Sequence, residues 1–119
     1  MIKTGIDLVE IDRIRKSVLN KRFVQRVFAE CEIEYFNTLS DPIPSIAANF
    51  SAKEAFGKAL GTGISGFLLK EVAILRDDKG APYFVFFKKA LELVENSNLS
   101  FSISLTHTKT TAAAVVLAY

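Results

Sequence analysis

The chain has 119 residues, half of them apolar and ten of them phenylalanine, which gives one domain with room for a real core and excludes a disordered segment. No apolar run reaches the length of a membrane span, and Lys3 and Asp7 break any signal-peptide pattern at the start, so a cytoplasmic protein without membrane contact is expected. The net charge of +2 says little, but Arg13, Arg15, Lys16, Lys21, Arg22 and Arg26 follow one another with no acid between them, as plain solvated surface or as a face for an acidic partner.

Ile2, Thr4, Ile6 and Leu8 alternate with Lys3, Gly5, Asp7 and Val9, which reads as a first strand with Asp7 and Gly5 on one face. A basic helix follows, with Ile11, Ile14, Val18 and Leu19 at helical spacing. Phe23, Val27 and Phe28 continue the pattern through a second basic turn, and residues 30 to 39 read as another helix. Cys31 lies there without a partner, so neither an internal disulfide nor a cysteine-based zinc site is open to the chain. With a single histidine as well, any metal should be a hard cation held by carboxylates.

Asp41 to Ser45 is a proline-punctuated turn, and a long helix is expected from Ser45 to Leu60, ended by Gly61 in the left-handed conformation. Ala48, Ala52, Ala55 and Ala59 form a small-residue stripe beside an Ile46, Phe50, Glu54, Lys58 ridge. The second half reads as a hairpin of 71–76 with 82–87, a helix over 88–96, an alternating strand from Phe101, and a last strand over 111–119. The run Tyr83 to Phe87 lacks polar alternation, so both of its faces should be covered, one of them by another subunit.

Taken singly, the polar candidates are ambiguous. Glu54 and Lys58 have the spacing of a structural helix salt bridge. Asp7 fits a turn-forming acid at a strand end, and a lone His107 fits a structural role. Gly61-Thr62-Gly63 follows a helix, whereas phosphate loops precede one.

In combination they say more. "GIDLVEIDRI" (5–14), "FSAKEAFGKALGTGI" (50–64) and "SISLTHTKTTAAAVVL" (102–117) occur in this order, and the whole chain resembles the holo-acyl-carrier-protein synthase family of 4′-phosphopantetheinyl transferases. The resemblance implies transfer of 4′-phosphopantetheine from coenzyme A to a serine of apo acyl carrier protein, releasing adenosine 3′,5′-bisphosphate, in fatty acid biosynthesis. It implies an α+β fold over residues 1–119, a small antiparallel sheet packed with a long helix and shorter ones, assembled as a homotrimer with sites between subunits. It makes Asp7 and Glu54 the Mg²⁺ ligands, with Glu54 and Lys58 catalytic. Lys58, Gly61, Thr62, Gly63, His107 and Thr108 would hold coenzyme A, and Arg13, Arg22 and Arg26 would dock the acidic carrier protein. One position departs from the pattern: many relatives carry arginine just before the F-[AS]-A-K-E-A run, and Asn49 stands there, so that cationic contact is lost or supplied elsewhere.

The chemistry is consistent with these residue types. Mg²⁺ takes one or two protein carboxylates and completes its shell with phosphates and water, and Asp7 and Glu54 fill that quota. Attack of a serine hydroxyl on a pyrophosphate needs mainly positioning and neutralised charge, to which Lys58 adds. The serine proton has two destinations open, Glu54 or a water on the metal. A basic nucleic-acid-binding module using residues 13–26 is the competing reading, and it leaves Asp7, Glu54 and Lys58 without a purpose. A fold-only scaffold subunit is a further alternative, opposed by the intact carboxylate pair.

Overall fold

A computed structural model describes residues 1–119. Strand β1 (Lys3–Glu10) turns Gly5, Asp7 and Val9 inward and Thr4, Ile6 and Leu8 outward, as its alternation requires. Three short helices follow: α1 (Ile11–Ser17), α2 (Lys21–Val27) and α3 (Glu30–Phe36). Helix α1 stops earlier than the apolar spacing suggests, because Asn20 caps the next helix by accepting from the Arg22 amide at 2.9 Å. Leu19 is consequently exposed in the turn between them and does not join the core. Helix α3 likewise ends at Phe36, short of residue 39.

The long helix α4 (Ile43–Leu60) starts two residues before Ser45, with Pro44 in its first turn where a missing N–H costs nothing. Gly61 ends it at φ 94°, as expected of a left-handed cap. A single 3₁₀ turn (Leu69–Glu71) leads into the hairpin of β2 (Val72–Arg76) and β3 (Pro82–Phe86). Helix α5 (Lys88–Ser97) and strands β4 (Phe101–His107) and β5 (Thr111–Ala118) complete the chain. Strand β5 lies between β1 and β4 in a three-stranded antiparallel sheet, and β2 and β3 form a separate pair, so the fold is α+β with small antiparallel sheets.

Helix α4 is the axle of this arrangement. Its alanine stripe lies on the sheet, where Ala52, Ala55 and Ala59 meet Ala114, Val116 and Ala118. A second side packs Phe50 among Phe23, Phe28 and Phe36 of the short helices. A third places Phe56 against Phe67, Phe84, Phe86 and Phe101. Phe84 and Phe86 gain cover on one side from inside the chain, but no residue of the 83–87 run is fully buried by it. Both rings are packed on Phe56, and only Tyr83 and Phe87 face largely outward. The bare apolar face lies on the other sheet: Ile6 and Leu8 are 67% and 66% exposed, and Val115 and Leu117 stand beside them on β5. No helix is long and apolar enough to cross a membrane.

Candidate active site

Between Ile46 and Ala59 every residue of α4 is buried except Glu54 and Lys58. A helix sunk in protein on three sides thus keeps one polar window, and Asp7 of β1 stands in it. The strand reaches that close because Gly5 has no side chain: a methyl there would run into the carbonyl of Ala55 and stand 2.7 Å from the Ala59 nitrogen.

Asp7 is held from two directions. Ser51 Oγ donates to its Oδ2 at 3.0 Å, and Lys58 Nζ stands 3.4 Å from its Oδ1 while donating to the Ile6 carbonyl at 2.9 Å. The salt bridge that spacing suggests between Lys58 and Glu54 is absent; the lysine is paired with Asp7. Glu54 has no ion-pair partner. Burial, and next the negative charge of Asp7, raise its pKa above the ordinary carboxylate value, while Lys58 and Arg13 pull the other way. Two carboxylates that share one window are a place where a cation lowers the energy. No third acidic residue, histidine or cysteine joins them. This donor set fits Mg²⁺, which is content with two carboxylates, and does not fit zinc, which takes three or four protein ligands.

The remaining candidates divide into four places. Arg13 stacks its guanidinium 5.8 Å over the Phe50 ring and belongs to the neighbourhood of Glu54. Arg22 and Arg26 line a separate 570 Å³ groove with Gln25, Leu68 and Lys70. Gly61, Thr62 and Gly63 fold back on the end of α4, where the Gly63 amide donates to the Gly57 carbonyl at 3.0 Å. His107 and Thr108 lie at the opposite end, in a 450 Å³ cleft with Arg15, Pro44 and Lys109. The 18-residue helix separates these two groups by roughly 25 Å.

Two features escaped the sequence reading. Ser51 lies three residues before Glu54, hence on the same helix face, and that spacing was the available signal. The other is a buried polar cluster behind the window. Lys53 and Glu32 form a 2.6 Å ion pair with both side chains 0% exposed. Lys53 also donates to the carbonyls of Leu69 at 3.0 Å and Val72 at 2.6 Å. Asn49 donates to Glu32 and to the Ile74 carbonyl, both at 2.9 Å, and accepts from Arg76 at 2.8 Å. At the departing position, then, Asn49 faces inward, and a guanidinium from β2 reaches it.

The family model of the 4′-phosphopantetheinyl transferase superfamily matches residues 3–116. The chain is 48% identical over 115 residues to a holo-[acyl-carrier-protein] synthase of Treponema denticola, covering 95% of this chain and 94% of that one. Its fold superposes on the crystal structure of holo-[acyl-carrier-protein] synthase from Neisseria meningitidis with a TM-score of 0.89 at 32% identity, covering 100% of this chain and 99% of the other. The Helicobacter pylori synthase in complex with coenzyme A gives a TM-score of 0.85 at 35% identity, with 100% of both chains covered. The chain belongs to the 4′-phosphopantetheinyl transferase superfamily.

Proposed function

We propose that residues 1–119 act as one cytoplasmic holo-[acyl-carrier-protein] synthase domain, moving 4′-phosphopantetheine from coenzyme A to a serine of apo acyl carrier protein in fatty acid biosynthesis. The observation that carries this is the convergence of Asp7, Glu54 and Lys58 in the one polar window of a buried helix. The serine oxygen bonds to the β-phosphorus, the pyrophosphate P–O bond breaks, and adenosine 3′,5′-bisphosphate leaves. Asp7 and Glu54 would hold Mg²⁺, which when bound supplies positive charge to the pyrophosphate oxygens. Lys58, held beside Asp7 and the Ile6 carbonyl, adds a fixed cation to the same place. Gly61 to Gly63 offer a side-chain-poor turn for close approach of coenzyme A. Glu54, free of any ion-pair partner, is the group suited to take the serine proton. Incubation with coenzyme A, Mg²⁺ and an apo carrier protein, followed by mass spectrometry, should show the carrier gaining one phosphopantetheine. A carrier of unchanged mass under conditions where a known synthase modifies it would refute the assignment.

Assembly as a homotrimer belongs to the same proposal. The two candidate coenzyme-binding groups lie some 25 Å apart at either end of α4 in one chain, and different copies would bring them together at one site. The bare face of Ile6, Leu8, Val115 and Leu117 gives those copies an apolar surface to meet on. Leu117→Asp should therefore lower the mass seen by light scattering to that of the monomer and remove activity with it. A fully active monomer at assay concentration would require the site to be rebuilt within one chain.

Arg22 and Arg26 sit on the rim of an open groove, where charge acts through encounter and orientation. Arg22→Glu is expected to raise KM for the carrier protein roughly tenfold, a change of about 1.4 kcal/mol, with KM for coenzyme A nearly unchanged. Carrier kinetics that do not respond at low salt would move the docking face elsewhere.

A further inference from the structure

The cluster behind the window has more order than stability alone requires. Lys53 points every ammonium proton at an acceptor: Glu32, the Leu69 carbonyl and the Val72 carbonyl. Glu32 is equally filled. Its Oε1 accepts from the Ala29 amide and Lys53, and its Oε2 from Asn49 and the Ile74 amide. These bonds tie α4 at once to the start of α3, to the 3₁₀ turn and to β2. Yet a buried ion pair is often no more stabilising than apolar groups of the same size.

What α4 needs, beyond burial, is a fixed rotation and a fixed axial position. Its contacts with the sheet are alanine on alanine and valine, a smooth surface with few knobs to set either one. On the other sides Phe50 and Phe56 are packed among aromatic rings, and directional hydrogen bonds sharpen both settings. Lys53 and Glu54 are consecutive, so whatever fixes the direction of one fixes the direction of the other, about 100° around the helix. The displacement that matters is small, because two carboxylates serve one cation only within the short range of its coordination shell.

We infer that Lys53 and Glu32 are positioning residues: their buried pair, braced by Asn49 and Arg76, sets the rotation of α4 that brings Glu54 to Asp7. Neither touches substrate. The cation at the outer end of the brace is supplied by β2, with Arg76 lying 5.3 Å over the Tyr35 ring and bonded to Asn49. The inference rests on the synthase reading for its activity readout, and wild-type turnover measured alongside separates a failure of one from a failure of the other.

The test is the double substitution Glu32→Gln with Lys53→Met, which removes both buried charges together and leaves neither unpaired. The variant should fold and melt within a few degrees of wild type. Its kcat should fall at least tenfold, with KM for coenzyme A and for the carrier changed less than twofold. In the absence of substrates, Mn²⁺ titrated by electron paramagnetic resonance should bind at least tenfold more weakly than to wild type. The single Arg76→Met substitution, at the half-exposed end of the brace, should shift Mn²⁺ affinity in the same direction by a smaller factor. A folded double variant with wild-type kcat and Mn²⁺ affinity would overturn the inference. So would a double variant that does not fold, since the pair would then be a stability element, and so would an Arg76→Met protein whose Mn²⁺ affinity is unchanged.

Discussion

Asp7→Asn and Glu54→Gln should each reduce turnover roughly a hundredfold or more while the chain stays folded. Both substitutions keep shape and remove charge. In the Asp7→Asn protein the amide oxygen can still accept from Ser51, and Lys58 keeps its bond to the Ile6 carbonyl, so β1 and α4 retain their contact. Glu54→Gln has the more telling signature. The raised pKa of Glu54 means that the folded chain holds its proton more tightly than the unfolded chain does. That contribution to stability is present at low pH and is lost as the pH rises through the raised value. A neutral glutamine removes the cost of ionisation. The Glu54→Gln protein should therefore melt at or above the wild-type temperature at neutral pH while losing its activity, and the difference should shrink in acid. Stability set aside for function in this way is a mark of an active site. Urea or thermal melts at two pH values, paired with rates across a Mg²⁺ titration, check both halves. A near-wild-type rate for either variant would remove that residue from the ligand set.

The elements were legible where one periodicity dominated. The alternation in β1 and β4 and the Asp41–Ser45 turn with Gly61 bracket strands and a helix that the structure reproduces to within a residue or two. Misreadings arose where two surfaces compete for one residue. Leu19 continues a helical spacing, but the cap at Asn20 ends the helix first. Phe84 and Phe86 pack on Phe56, nearly thirty residues earlier, and a one-dimensional pattern gives no sign of that contact. For the site, residue types and order carried Asp7, Glu54 and Lys58, and spacing alone misassigned the lysine to Glu54. The pairing with Asp7 depends on how near β1 comes to α4, which no local pattern encodes. The Lys53–Glu32 pair was hidden for the same reason: a lysine in a polar-looking motif gives no sign of being wholly enclosed.

How near β1 comes to α4 is set by Gly5, and Gly5→Ala should damage the fold severely. The added carbon falls inside the Ala55 carbonyl and within 2.7 Å of the Ala59 nitrogen. Both obstacles are helix backbone, so no side-chain rotation relieves them, and strand and helix must separate. Overpacking of this kind costs about 1–3 kcal/mol, and backbone on two sides puts this case at or beyond the upper end. Two controls isolate the cause. Gly80 is at φ 84° with nothing near its missing side chain, so Gly80→Ala should cost only the left-handed strain, roughly 1–2 kcal/mol. Ala55→Gly combined with Gly5→Ala should bring no rescue, because the obstruction is the carbonyl of residue 55 and not its methyl. Any Gly5→Ala protein that remains folded should also be impaired in turnover, since Asp7 lies two residues along the displaced strand while Glu54 stays with the helix. Denaturant melts that place Gly5→Ala no lower than Gly80→Ala, or a clear rescue by Ala55→Gly, would show that the strand and helix are not in the contact that brings the two carboxylates together.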